Sequence, residues 1–139
     1  MSTDSKPAFT NVVPYLAYDD PAAALEFLCH AFGGRETERF TMPDGRIGHA
    51  QVVLGEQTVM LASAFPELGL SSPAKLGGVH CQLFCFVDDV DAHFERAKAA
   101  GATLLTQPED QDYGDRMYRA ADPEGHRWVF SARSAASAT

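Results

Sequence analysis

The chain has no run of 18 apolar residues, so no segment reads as a membrane-spanning helix. Basic residues are few: 11 Lys and Arg stand against 19 Asp and Glu, a net charge of −8. Nucleic acid and anionic membranes need basic patches, so neither is an expected partner. The same charge is compatible with a cationic ligand. Cysteine is scarce and odd in number, and Cys29, Cys81 and Cys85 have neither disulfide nor zinc spacing. They read as reduced packing residues. Met1 to Pro7 is polar and lacks the apolar core of a signal peptide, which makes the cytoplasm the expected location. There is no nucleophile elbow, phosphate loop or dinucleotide fingerprint. Gly33-Gly34 and Gly77-Gly78 lack phosphate-loop spacing.

What the chain does have is a plan used twice. Val13 to Tyr18 is an apolar strand followed by Asp19-Asp20 and an amphipathic helix ending at Gly33-Gly34. Gln82 to Val87 is another, followed by Asp88-Asp89 and a helix ending at Gly101. An offset of 69 residues pairs these aspartates, and it also pairs Gln57 to Met60 with His126 to Val129. Two anchors so far apart in one register argue for an internal repeat. Each half, at about 65 residues, is marginal for burying a core alone. The halves are therefore expected to pack as one domain.

The elements follow from local signals. Phe9 to Tyr18 reads as a strand; Asp20 then Pro21 is an N-cap with a first-turn proline. Leu25, Leu28, Cys29 and Phe32 make one apolar stripe. Strands are expected at 35–41, 47–54 and 57–63, with Met42-Pro43-Asp44-Gly45 as a turn. Residues 64–77 read as a linker or a lid. The second half repeats the order: a strand at 79–87, a helix carrying Val90, Phe94 and Ala97, and strands at 103–106, 116–121 and 126–131. Asp122-Pro123-Glu124-Gly125 is the last turn. His30 and His93 are expected on polar helix faces, and His126 exposed in the turn. The boundaries are a disordered tail at 1–8, one domain at 9–132 with units at about 9–63 and 78–132, and a tail at 133–139.

A doubled βαβββ chain resembles the vicinal oxygen chelate superfamily, which includes glyoxalase I, extradiol dioxygenases, and fosfomycin-resistance and bleomycin-binding proteins. The matching pieces are Pro14-Tyr15-Leu16, Asp20-Pro21 and Glu26-Phe27, then Phe86 to Asp91 and Ala100-Gly101-Ala102. Tyr113 to Arg116 and Asp122 to Trp128 complete the match. The resemblance implies an α+β fold in which tandem βαβββ units form curved sheets around a cup. It also implies four metal-ligand positions, one on the first and one on the fourth strand of each unit. In this sequence they fall at Val13, Met60, Gln82 and Val129. One amide and three apolar groups cannot hold a divalent ion usefully.

The expected ligand-binding residues are therefore cup walls rather than metal ligands. Tyr15 and Phe84 stand two residues from Val13 and Gln82, on the same faces. Val13, Met60 and Val129 add apolar surface, His80 and Gln82 add polar groups, and Tyr113 and Arg116 flank the mouth. Planar or cationic small molecules suit such walls. Trp128 alternates away from the cup, toward a helix or another subunit. The first reading is a metal-independent binding protein with no cofactor, dimeric like its relatives, that sequesters an antibiotic or toxic compound. A second is a glyoxalase-type lyase or dioxygenase-like enzyme with a displaced metal site at His49 and His80. A third is a structural dimer whose cup is filled by its own side chains.

Overall fold

A computed structural model describes residue 8 and residues 11–133. Of the tails expected at 1–8 and 133–139, residues 1–7 and 134–139 lie outside the described residues, as does the start of the first strand at Phe9. The first unit runs β1 (Tyr15–Tyr18), α1 (Pro21–Phe32), β2 (Arg35–Thr41), β3 (Ile47–Leu54) and β4 (Gln57–Ser63). A 3-10 turn at Pro66–Leu68 and the short α2 (Pro73–Leu76) follow. The second unit runs β5 (Gln82–Phe86), α3 (Val90–Ala99), β6 (Thr103–Leu104), β7 (Glu109–Asp110), β8 (Arg116–Ala121) and β9 (Arg127–Ala132). Sheet one has the order β1-β4-β3-β2, and sheet two the order β5-β9-β8-β6, with β7 also on β8. This is the α+β arrangement of two curved sheets that the family resemblance implied.

The offset of 69 survives into three dimensions. Tyr15 pairs with Met60 across parallel strands, and Phe84 pairs with Val129 across the equivalent pair. The helices begin alike because their caps are alike. Asp20 accepts from the Ala23 amide at 3.1 Å and Asp89 from the Ala92 amide at 3.0 Å. Each satisfies a first-turn N–H that the helix itself leaves unpaired. Two strands are shorter than their apolar runs suggested: β1 starts at Tyr15 and β5 at Gln82.

The units meet through their helix-covered sides. Leu25, Leu28 and Phe32 of α1 share one core cluster with Phe94 and Ala97 of α3. Phe32 reaches across the repeat to Trp128 and Phe130, at ring distances of 5.4 Å and 4.7 Å. Trp128 is fully buried there, on the helix side of sheet two. The last turn of the second unit also grips the first. Asp122 accepts from the Tyr18 hydroxyl at 2.6 Å and from the Trp128 indole N–H at 3.1 Å. Glu124 accepts the backbone amides of Asp19 and Asp20. The linker is fastened as well, because buried Ser72 donates to Asp19 at 3.0 Å.

Two histidines differ from expectation. His126 is half-buried, bonded to the Ala17 carbonyl at 2.8 Å and packed on Tyr18 at 4.6 Å. His93 lies between the units rather than on a solvated helix face. Its Nε2 is 3.1 Å from the Phe32 carbonyl and its Nδ1 is 2.6 Å from the Tyr118 hydroxyl. A carbonyl only accepts, so in the neutral ring Nε2 carries the hydrogen and Nδ1 accepts from Tyr118. Burial pushes the His93 pKa down, the bond to Phe32 opposes this, and the Arg96 charge adds to the lowering. The unfolded chain then binds a proton that the folded chain resists. Stability is expected to fall as pH drops from 7 through the ordinary imidazole range toward 5. His93→Gln should flatten that slope in urea unfolding at stepped pH. An unchanged slope would show that His93 does not contribute.

Candidate functional site

Each sheet has one face packed under helices and one helix-free face. On sheet one the helix-free face carries the row Tyr15, Met60, Gln51, Glu38. Strand alternation adds Ala17, Ala62, His49 and Phe40. Tyr15 is 54% exposed and Phe40 59%. The Tyr15 hydroxyl donates to the Gly48 carbonyl at 3.0 Å and lies 3.3 Å from His49 Nδ1. The Gln51 amide nitrogen lies 3.0 Å from His49 Nε2. The amide can only donate, so Nε2 accepts and the Nδ1 hydrogen points at Tyr15. Both ring nitrogens of neutral His49 are thus in use. β2, an edge strand, is exposed along all seven residues.

On sheet two, register places three rows on the helix-free face. The first is Gln82, Arg127, Ala121 and Thr103. The second is Phe84, Val129 and Arg119. The third is Phe86, Ser131, Met117 and Glu109. Val129 and Ser131 form a buried floor, while Phe84 is 48% and Phe86 57% exposed. The two rings lie 5.3 Å apart, and the Arg133 guanidinium sits 4.5 Å from the Phe86 ring. Ser131 Oγ is buried without a hydrogen-bond partner, an exception in a packed interior. Among the described residues, no hydrogen bond or ring contact joins this face to that of sheet one.

The sequence-derived wall residues fare differently. Tyr15 and Met60 share one row, Phe84 and Val129 another, as the repeat suggested. Val13 is half-buried just ahead of β1. Gln82 is exposed and accepts from Arg119 at 3.3 Å. His80 was placed on the strand beside Gln82, yet it lies exposed in the loop before β5. The Tyr113 hydroxyl donates to the Met117 sulfur at 3.2 Å, which sets the ring at one end of sheet two. Arg116 lies on the opposite face of sheet two from Phe84 and Val129. It shares the helix side of β8 with Tyr118, and Asp91 of α3 holds it at 3.0 Å, with Asp110 at 3.1 Å. It fastens α3 to the sheet edge.

Several residues of these faces escaped the sequence reading: Phe40, Gln51, Phe86, Arg119 and Arg127. The signal for Arg119 was present. Once the Asp122 to Gly125 turn fixes the hairpin, counting back from Val129 puts Arg119 opposite it. The net charge of the chain had suggested a cationic ligand, but the local charge of sheet two is positive.

The donor set at the superfamily's metal positions does not fit a metal. Val13, Met60 and Val129 offer no hard donor, and the Gln82 amide oxygen already accepts from Arg119. Among the described residues, no group of three or more His, Cys, Asp or Glu is placed to hold an ion. His49 would have to break a hydrogen bond to offer a nitrogen.

Residues 9–130 match the family model of the Glyoxalase/Bleomycin resistance protein/Dioxygenase superfamily. The chain belongs to this superfamily. Among its relatives, the Mycobacterium tuberculosis (strain H37Rv) protein Rv0887c is 42% identical over 131 residues, 92% of this chain and 75% of that one. The Mycobacterium bovis protein Mb0911c is likewise 42% identical, over 84% of its own length. Among solved structures, TioX from Micromonospora sp. ML1 is 35% identical, with a TM-score of 0.72 over 90% of this chain and 99% of that chain. FosX from Listeria monocytogenes, at 14% identity and a TM-score of 0.70, shares the fold of this superfamily member. No helix among the described residues is long and apolar enough to cross a membrane.

Proposed function

We propose that this superfamily member is a metal-independent binding protein for small planar molecules, with a cup assembled from two copies of the chain. The helix-free face of sheet one in one copy would meet that of sheet two in the other. The observation that carries this reading is the exposure of Tyr15, Phe40, Phe84 and Phe86 on the two helix-free faces, while the helix-covered sides are packed together. Phe84 and Phe86 lie 5.3 Å apart as an exposed aromatic pair, and such exposed apolar surface marks an interaction or ligand site. The exposed edge strand β2 supports a second copy, since an unpaired edge invites partners. The donor set of Val13, Met60, Gln82 and Val129 supports binding rather than metal-dependent chemistry. Sequestration of an antibiotic or toxic compound is the corresponding biological role.

The test is sedimentation together with thermal shift. The chain is expected to sediment as a dimer, and its melting temperature to rise with the concentration of a neutral planar probe such as naphthamide. At 100 times Kd the stabilisation is about 2.7 kcal/mol. A monomer at all concentrations, with no shift at millimolar probe, would remove the proposal.

A further inference from the structure

We infer that the ligand of this cup is an aromatic carboxylate, gripped by the Arg119 guanidinium over the Phe84 and Phe86 rings. The inference rests on the proposed cup and adds the chemical class of its occupant.

Three arginines elsewhere in the chain are neutralised by carboxylates, and Arg96 is spent on the His30 and Cys29 carbonyls. Arg39 pairs with Glu36, Arg46 with Asp44 and Glu67, and Arg116 with Asp91 and Asp110. Arg119 and Arg127 form no ion pair among the described residues, although the chain carries a net charge of −8. Both stand in the rows of sheet two's helix-free face, with Arg133 over the Phe86 ring. Glu109 is the one carboxylate in those rows, on the short edge strand β7, and it pairs with none of the three. In a chain with an excess of 8 negative charges, the face that carries the exposed phenyl rings thus holds Arg119 and Arg127 without a carboxylate partner.

Position strengthens the case. Arg119 is the third member of the row that begins with Phe84 and Val129. Its Nη1 donates to Gln82 Oε1 at 3.3 Å, which orients the fork and leaves other N–H groups free. Closing the cup takes this guanidinium out of water, and a desolvated charge needs an anion. A carboxylate matches the planar fork with two parallel bonds. The ring attached to it meets the Phe84 and Phe86 pair. Gln82 becomes a positioning residue for Arg119. The rival anion is Glu38 of a second copy, in the row with Tyr15, Met60 and Gln51 on sheet one's face.

The experiment compares naphthoate, naphthamide and naphthylmethylammonium by titration calorimetry on the full chain. The neutral naphthamide reports the cup, and the difference between probes reports the charge. Naphthoate is expected to bind about 10-fold or more tightly than naphthamide, as for a charge-assisted bond. Arg119→Gln should bring the two to near parity, Arg119→Lys should keep part of the preference, and Lys98→Gln on α3 should change nothing. Naphthamide and naphthoate binding alike, or the ammonium binding best, overturns the inference and leaves the cup standing. A preference unaltered in Arg119→Gln, with a weakened dimer, assigns the guanidinium to Glu38 of the second copy and also overturns it. No binding of any of the three removes both the inference and the cup.

Discussion

Replacing Asp122 by alanine is expected to destabilise the chain by about 3–5 kcal/mol, the range for breaking a buried charged network. The side chain is 3% exposed and accepts four hydrogen bonds. Two come from the amides of Glu124 and His126 and hold the last turn in shape. The other two come from the Tyr18 hydroxyl and the Trp128 indole, both fully buried. Alanine leaves those two donors without acceptors, at about 1–3 kcal/mol each. It also releases the turn that presents Glu124 to the start of α1. Tyr18 itself is held protonated: burial pushes its pKa up and the Asp122 charge adds to this. Tyr18→Phe, which deletes one donor together with its need, should cost only about 1 kcal/mol. Urea unfolding at fixed protein concentration measures both, and the midpoint should move without a change in slope. A loss below about 1 kcal/mol for Asp122→Ala would mean that the network does not hold the units together.

Most of the architecture was legible because its signals are local. Asp20-Pro21 and Asp88-Asp89 start helices by capping, and capping needs no distant partner. The apolar positions Val90, Phe94 and Ala97 faced the core as their spacing required. The two histidines that differ from expectation are those whose surroundings come from the other unit. The helical position of His93 gave no hint that Phe32 of the first unit would accept its hydrogen. His126 sits in a turn, but that turn folds over Tyr18. Arg116 and Arg119 differ by three residues and so face opposite sides of β8. The family likeness directed attention to Arg116, whereas the hairpin register identifies Arg119. The resemblance implies a cup with Gln82 on its wall, and Gln82 is exposed. Its exposure follows if the second wall belongs to another copy.

That last point yields the second large effect, and it separates a shared cup from one closed within a chain. Tyr15→Ala and Phe84→Ala each remove an aromatic wall, one from sheet one and one from sheet two. Each variant alone should bind naphthamide about 10-fold more weakly or worse, as for loss of an aromatic anchor. Mixing the two variants and allowing subunits to exchange should restore tight binding. In a mixed dimer, one cup joins the altered sheet one to the altered sheet two. The other joins the intact sheet one of the Phe84→Ala chain to the intact sheet two of the Tyr15→Ala chain. Random exchange makes about half the dimers mixed, so about a quarter of all cups recover wild-type affinity by twofold symmetry. If each cup were closed within one chain, every cup in the mixture would keep a damaged wall and none would recover. Calorimetry of the mixture, with exchange confirmed by a tag on one variant, reads the difference directly. Mixed dimers without a tight-binding fraction would show that Tyr15 and Phe84 do not meet across the subunits.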